Sequence, residues 1–253
     1  MNRRLFLSTS LSLLSINSYS KSIKFNPYST KFLLGMGDLP LYSNNIPLAI
    51  EPGKAFEKMQ TQAKKEGIVL EIVSGYRSYV RQKSIWNRKY KFNKAAGLSP
   101  KKNISKIIEY STIPGTSRHH WGTDVDIIDG SKPKEGDVLV TEKFHGKGPY
   151  SELRIWMKRH AEKYGFYLPY TQNTNRKGFY YEPWHYSYAP LSIPLLKTFT
   201  QLDLNKLLIT DGLEGGTHLT PEFMSFYLEE NILGIANSPV SYTHLTLPTK
   251  RIV

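Results

Sequence analysis

Residues Ser117 to Asp126 read Ser-Arg-His-His-Trp-Gly-Thr-Asp-Val-Asp and bring two imidazoles and two carboxylates into ten positions. The apolar run Val125 to Ile128 that closes the stretch reads as a buried strand. The chain has no cysteine. Its metal donors are therefore nitrogen and oxygen, the ligand set of a catalytic rather than a structural zinc site. Taken alone, the stretch is equally a polar loop entering a strand. A second stretch, Tyr181-Glu182-Pro183-Trp184-His185-Tyr186, adds an imidazole three residues after a carboxylate. Three protein ligands leave a fourth position for water, and a nearby carboxylate outside the ligand set can take that water's proton. His119, Asp126 and His185 are the candidate ligands and Glu182 the candidate base. In a regular strand Glu182 and His185 would face opposite ways, so Pro183 has to break the ladder. Asp124, two residues before Asp126, reads as a carboxylate that supports the ligands.

The third stretch is Ser74-Gly75-Tyr76-Arg77-Ser78-Tyr79, followed by Gln82. Ser-Gly-Tyr-Arg-Ser with a Gln five after the Arg, Ser-x-His-x-x-Gly-x-x-x-Asp, and Glu-Pro-Trp-His, in this order, resemble the zinc D-alanyl-D-alanine carboxypeptidases of the VanY type. These are bacterial peptidoglycan peptidases, related in fold to hedgehog-like zinc domains. The resemblance runs from Lys54 to Tyr188. It implies Zn²⁺ on His119, Asp126 and His185, with Glu182 as general base. His120 is the neighbouring rival, but only His119 has the family's spacing to Gly122 and Asp126. The resemblance also implies that Arg77 pairs with the substrate carboxylate or the transition-state oxyanion, and that Gln82 and Ser117 touch substrate. The implied scissile bond is the terminal D-Ala–D-Ala bond of a peptidoglycan stem peptide. An L,D-carboxypeptidase, an endopeptidase on the same polymer and a non-catalytic zinc-stabilised wall-binding module are the alternatives. A pure binding module has no need of Glu182 or Arg77.

Stepping outward, 17 Tyr and 4 Trp in 253 residues support a sizeable core. Without cysteine there is no disulfide framework. The formal net charge is +13. Leaving out Arg3, Arg4, Lys250 and Arg251, 30 basic residues stand against 21 acidic ones, an excess of nine. That basic surface suits an anionic polymer or is simply solvated. Residues 1–20 have a basic head, a short apolar run and Ser18-Tyr19-Ser20, as in an export signal of the ordinary or twin-arginine kind. The apolar run is too short to span a membrane. Export to the periplasm or cell envelope disfavours nucleic acid as a partner, and a monomer is expected.

The expected fold is α+β: a small antiparallel sheet carries the zinc site, with helices packed around it. Residues 21–50 are expected as an extended arm, 51–190 as the peptidase domain and 191–238 as a helical appendage. Helices are expected over Lys54–Lys65, over Tyr79–Tyr90, around Ile104–Ile108, and from Ser151 as cap to Tyr164. Ile68–Val73 is expected as the strand that delivers Arg77. Phe166–Leu168 and Phe179–Tyr181 are expected as a hairpin presenting Glu182 and His185. Gly130 to Pro149 reads as a lid, a binding loop or an insertion. His145, His160 and His218 are expected to pack or meet solvent. Pro239 to Val253 resembles a translated sequencing adapter and is expected to have no function.

Overall fold

The computed structural model describes residues 26–173, 175–208 and 210–236. The expected export signal and adapter-like tail lie outside them. The elements run α1 (Thr30–Leu33), α2 (Ile50–Lys65), β1 (Leu70–Ser74), α3 (Tyr79–Ala95), α4 (Pro100–Ile107), β2 (Asp124–Asp129), α5 (Ser151–His160), β3 (Phe166–Tyr167), β4 (His185–Tyr188), α6 (Ala189–Phe199), α7 (Leu204–Leu207) and α8 (Pro221–Tyr227). A four-stranded sheet of order β1-β2-β4-β3 lies among the helices, with every pairing antiparallel. This is the expected α+β architecture.

The sheet has one apolar and one charged face, because β2 alternates Asp124-Val125-Asp126-Ile127. Val125 and Ile127, with Tyr186 and Tyr188 of β4, join Phe56 and Met59 of α2 and Leu153 and Met157 of α5 in one core. Each such aliphatic or aromatic side chain contributes roughly 1.5–3 kcal/mol on full burial. That anchorage holds the sheet in place while its other face carries charge. A second core joins Trp86 and Tyr90 of α3, Ile104 and Ile107 of α4, Trp121, Phe199 of α6 and Tyr227 of α8. The segment after Pro190 is thus built into the domain. Tyr227 Oη accepts the Ile113 amide at 3.1 Å, and the Trp86 indole donates to Glu214 O at 2.9 Å.

The arm of residues 26–49 braces the loop that carries Arg77. Its Leu41 and Ala49 form a bridge, and Pro47 O accepts the Tyr76 amide at 2.6 Å. Gly122 is required where arm and site meet. Its φ is +64°, and an added Cβ would stand 2.8 Å from Ala49 N. That left-handed residue ends the turn Arg118–Trp121 and turns the chain into β2.

Two expectations are corrected. Phe179–Tyr181 is no strand, and β3 pairs instead with β4, Phe166 opposite Tyr188. The aromatic residues of that stretch are buried for another reason: Phe179 packs edge-on against Tyr170 and Tyr227, and the Tyr180 amide bonds Glu109 O. Ser151 is the first residue of α5 rather than its cap, and Tyr150 occupies the cap position. The helix then tightens into a 3₁₀ turn, Ala161–Tyr164, and Gly165 ends it at φ +81°. No helix among the described residues is long and apolar enough to cross a membrane.

Candidate metal centre

The register sets the site. Asp126 of β2 lies directly opposite His185 of β4, so both side chains rise from the charged face. His119 comes from the turn before β2, whose backbone is tied to the Arg77 loop by Arg77 N–H to His119 O at 3.1 Å. One ligand atom from each of His119, Asp126 and His185 lies within 4.8 Å of the others, and all three residues are buried. Asp126 Oδ1 is 3.0 Å from His185 Nδ1, and Oδ2 is 3.4 Å from His119 Nε2.

Neighbouring acceptors fix both imidazoles. His119 Nδ1 lies 2.8 Å from Gly75 O, which can only accept, so this nitrogen carries the hydrogen and Nε2 presents its lone pair to the centre. His185 Nε2 lies 2.9 Å from Asp124 Oδ1, which leaves Nδ1 for the centre. Outer hydrogen bonds of this kind orient metal-binding imidazoles. His120 is turned away. Its Nε2 accepts the Gly115 amide at 3.1 Å, its Nδ1 bonds Arg77 O at 2.5 Å, and burial lowers its pKa to about 3. It supports the Arg77 loop as a neutral ring.

Asp124 is the hub beneath the centre. Its Oδ1 also accepts Arg118 Nε at 2.9 Å, and its Oδ2 accepts the Thr123 hydroxyl at 2.6 Å. Ser187 Oγ, 3.0 Å from Asp124, also takes a bond from the Arg118 guanidinium. Burial works against both charges, yet their attraction holds Asp124 well below the usual carboxylate range and Arg118 above its ordinary value. At the centre burial also opposes charge, but His119 and His185 hold Asp126 low. Burial would lower His185, but its bonds to Asp124 and Asp126 raise it to about 10. The two carboxylates thus stay ionised, and the negative field that favours a cationic His185 favours a divalent cation in the same way.

Glu182 sits in the turn before β4, where His185 N–H bonds Glu182 O at 3.1 Å across Pro183. That turn breaks the strand alternation, and Glu182 Oε2 lies 3.5 Å from His185 Nδ1. Burial, aided by Asp126, raises the Glu182 carboxyl to about 8 against the pull of His185 and Arg77. Arg77 Nη2 is 3.8 Å from Asp126 Oδ2. All five residues line a cleft of about 480 Å³ that also takes in Ser117, Lys89 and the Asp137–Glu142 part of the long loop. That loop is therefore a cleft wall. Gln82 is a correction: it is fully buried, accepts Arg77 Nη1 at 2.8 Å and donates to Thr112 O at 2.8 Å. Its carbonyl holds Arg77, and it is not among the residues that line the cleft.

His145 bonds Tyr181 Oη at 3.1 Å, His160 stacks on Trp156 at 4.6 Å, and His218 is exposed. Arg118 escaped the sequence reading, since it stands in the polar stretch Ser117–Asp124 and nothing local marks its guanidinium as enclosed. Lys89 had no signal either, since it stands in a run of basic residues on α3 that reads as a solvated face.

A mixed fold with two imidazoles and a carboxylate at the floor of a cleft, beside a further carboxylate and an arginine, defines a single-metal centre with a donor set that fits Zn²⁺. The chain belongs to the VanY family, D-alanyl-D-alanine carboxypeptidase, which matches residues 46–191, more than half of it. It is 35% identical over 140 residues to YodJ of Bacillus subtilis (strain 168), covering 55% of this chain and 45% of that protein. It is 28% identical over 154 residues to the D-alanyl-D-alanine carboxypeptidase of Enterococcus faecalis (strain ATCC 700802 / V583), covering 60% of this chain and 52% of that one. The chain thus spans about half the length of these two relatives. Among solved structures, VanYB in complex with D-alanine-D-alanine is similar at TM-score 0.48 and 23% identity, over 65% of this chain and 84% of that one.

Metal removal gives a first expected result. A ligand present at about 100 times its Kd stabilises by about 2.7 kcal/mol. For a chain of this size that is a Tm difference of roughly 5–11 °C. Dialysis against a chelator should lower Tm by that order, and zinc should restore it. An identical Tm for the loaded and stripped protein would mean that His119, Asp126 and His185 hold no metal in the folded state.

Proposed function

We propose that this chain is an exported zinc-dependent peptidase that releases the terminal D-alanine from D-Ala–D-Ala-ending peptidoglycan stem peptides. The observation that carries the reading is the convergence of His119, Asp126 and His185 beside Glu182 and Arg77 in one cleft. Family membership supports the substrate class. Zinc held by the three residues would supply a Lewis acid that acidifies water and polarises the scissile carbonyl.

The chain's own groups do the rest. Glu182 accepts the proton of the attacking water and returns it to the leaving amine, and its burial strengthens it as a base. The planar Arg77 fork, held by Gln82 and by Ser74 Oγ at 2.7 Å, presents its free N–H groups to a carboxylate or a developing oxyanion. Ser117 lines the cleft wall, which supports reading it as a peptide contact. The Asp137–Glu142 part of the long loop forms one wall of the cleft. The working form is a monomer acting in the periplasm or cell envelope.

Incubation of the purified protein with pentapeptide and tetrapeptide stems, with and without chelator, followed by mass spectrometry, tests the reading. Loss of one alanine from the pentapeptide alone, abolished by chelator, is expected. Cleavage of the tetrapeptide would assign an L,D-carboxypeptidase, and internal cleavage an endopeptidase. Binding without release would make the domain a recognition module. Arg77→Lys keeps the charge but loses the fork. It should lower kcat/KM about 10-fold or more on peptides with a free C-terminal carboxylate. Unchanged kinetics would remove Arg77 from substrate recognition.

A further inference from the structure

One cation in the cleft is left unexplained by this chemistry. Lys89 projects from α3 into the cleft that holds Arg77 and Glu182. It is partly buried, and its ammonium bonds a neutral partner, Ser111 Oγ, at 2.6 Å. No described carboxylate lies within 4.0 Å of its Nζ. Burial works against its charge, partly offset by the field of Glu182. A lysine has three donors, and only one is used here.

Two hydroxyls beside it are also unspent. Ser111 Oγ accepts from Lys89, so its own proton is free to donate. Thr112 Oγ1 is buried without any partner, and Thr112 belongs to the same cleft lining. An ammonium and two hydroxyl donors with no acceptor make a pocket for an anion. Arg88, exposed at the mouth, adds positive charge, while Asp137 and Glu142 line the same cleft and the negative charge of Asp137 reaches Lys89. Arg88 and Lys89 also line an adjoining groove of about 430 Å³ with Phe92 and Tyr110. Lys89 therefore stands on the α3 wall where the cleft meets that groove.

We infer that Lys89, Ser111 and Thr112 form a second carboxylate site, selecting stem peptides that bear a side-chain carboxylate upstream of the scissile bond. The inference rests on the peptidase reading above and names its substrate class. The terminal carboxylate goes to Arg77, and the second one to the α3 wall. Lys89 is a specificity-determining residue and takes no part in bond cleavage.

The test uses two peptides ending in D-Ala–D-Ala that differ only in one upstream side chain, a carboxylate in one and its primary amide in the other. Turnover and direct binding are both measured on the zinc-loaded protein. The carboxylate peptide should be preferred about 10–100-fold, the span of a charge-assisted hydrogen bond, and chiefly through KM. Lys89→Gln should erase the preference, and Lys89→Arg should retain most of it. Equal kcat/KM for both peptides in the wild type would overturn the inference while leaving the activity standing. An equal fall in kcat on both peptides in Lys89→Gln would also overturn it, since Lys89 would then act through Glu182. If neither peptide is cleaved but the carboxylate peptide binds more tightly in a Lys89-dependent way, the inference stands and the proposed activity falls.

Discussion

Glu182→Gln is expected to stop D-alanine release while leaving the metal in place. The glutamine keeps the size of the side chain but cannot take a proton at neutral pH. General base catalysis is typically worth about 10²–10⁴-fold, so kcat should fall by at least that order with KM little changed. Glu182 Oε2 is 3.5 Å from His185 Nδ1 and is not one of the three converging residues, so zinc should stay near one per chain. The neutral amide also removes a carboxylate that burial pushes toward its protonated form. The fold should lose little stability and could gain some. Metal analysis, stopped-time mass spectrometry and thermal unfolding on one preparation read all three. Loss of zinc in this variant would make Glu182 a ligand, and undiminished release would take it out of the mechanism.

Asp124→Ala is expected to be the most damaging single change to the fold. Arg118 is 3% exposed and Asp124 fully buried, with 2.9 Å between Nε and Oδ1. Arg118 Nη1 already lacks a partner. Removing the carboxylate strands a guanidinium in the interior, which costs about 3–5 kcal/mol. At roughly 2–4 °C per kcal/mol for a chain of this size, Tm should drop by roughly 6–20 °C. The milder Asp124→Asn keeps the shape but gives up the charge that orients His185, and zinc affinity should fall about 10–100-fold. A Tm within about 2 °C of the wild type for Asp124→Ala would mean that Arg118 finds another partner and that the hub is dispensable.

These two residues mark how far the sequence could be read. Glu182 was legible because a proline stands between it and His185, and only a break in the ladder lets both face one centre. Asp124 was legible by strand alternation, but its Arg118 partner was not, because nothing local says that a guanidinium is fully enclosed. The pairing of Asp126 with His185 joins residues 59 positions apart, and no local pattern fixes such a register. Phe179–Tyr181 misled because aromatic residues favour strands, whereas tertiary packing against Tyr227 is what buries Phe179. Gln82 misled in another way. Its spacing from Arg77 marks it as part of the site, but only side-chain geometry shows that its amide is spent on Arg77 itself. The mixed fold was legible from the alternation of apolar helical stripes and short β-branched runs.

The central claim is that His119, Asp126 and His185 share one zinc ion, and anomalous diffraction from zinc-loaded crystals at the zinc absorption edge tests it most directly. The expected result is one strong peak about 2.0–2.2 Å from His119 Nε2, His185 Nδ1 and an Asp126 carboxylate oxygen, with Glu182 close by but unbound. A peak on His120, a peak on Glu182 in place of one of the three, or no peak between β2 and β4 would contradict it.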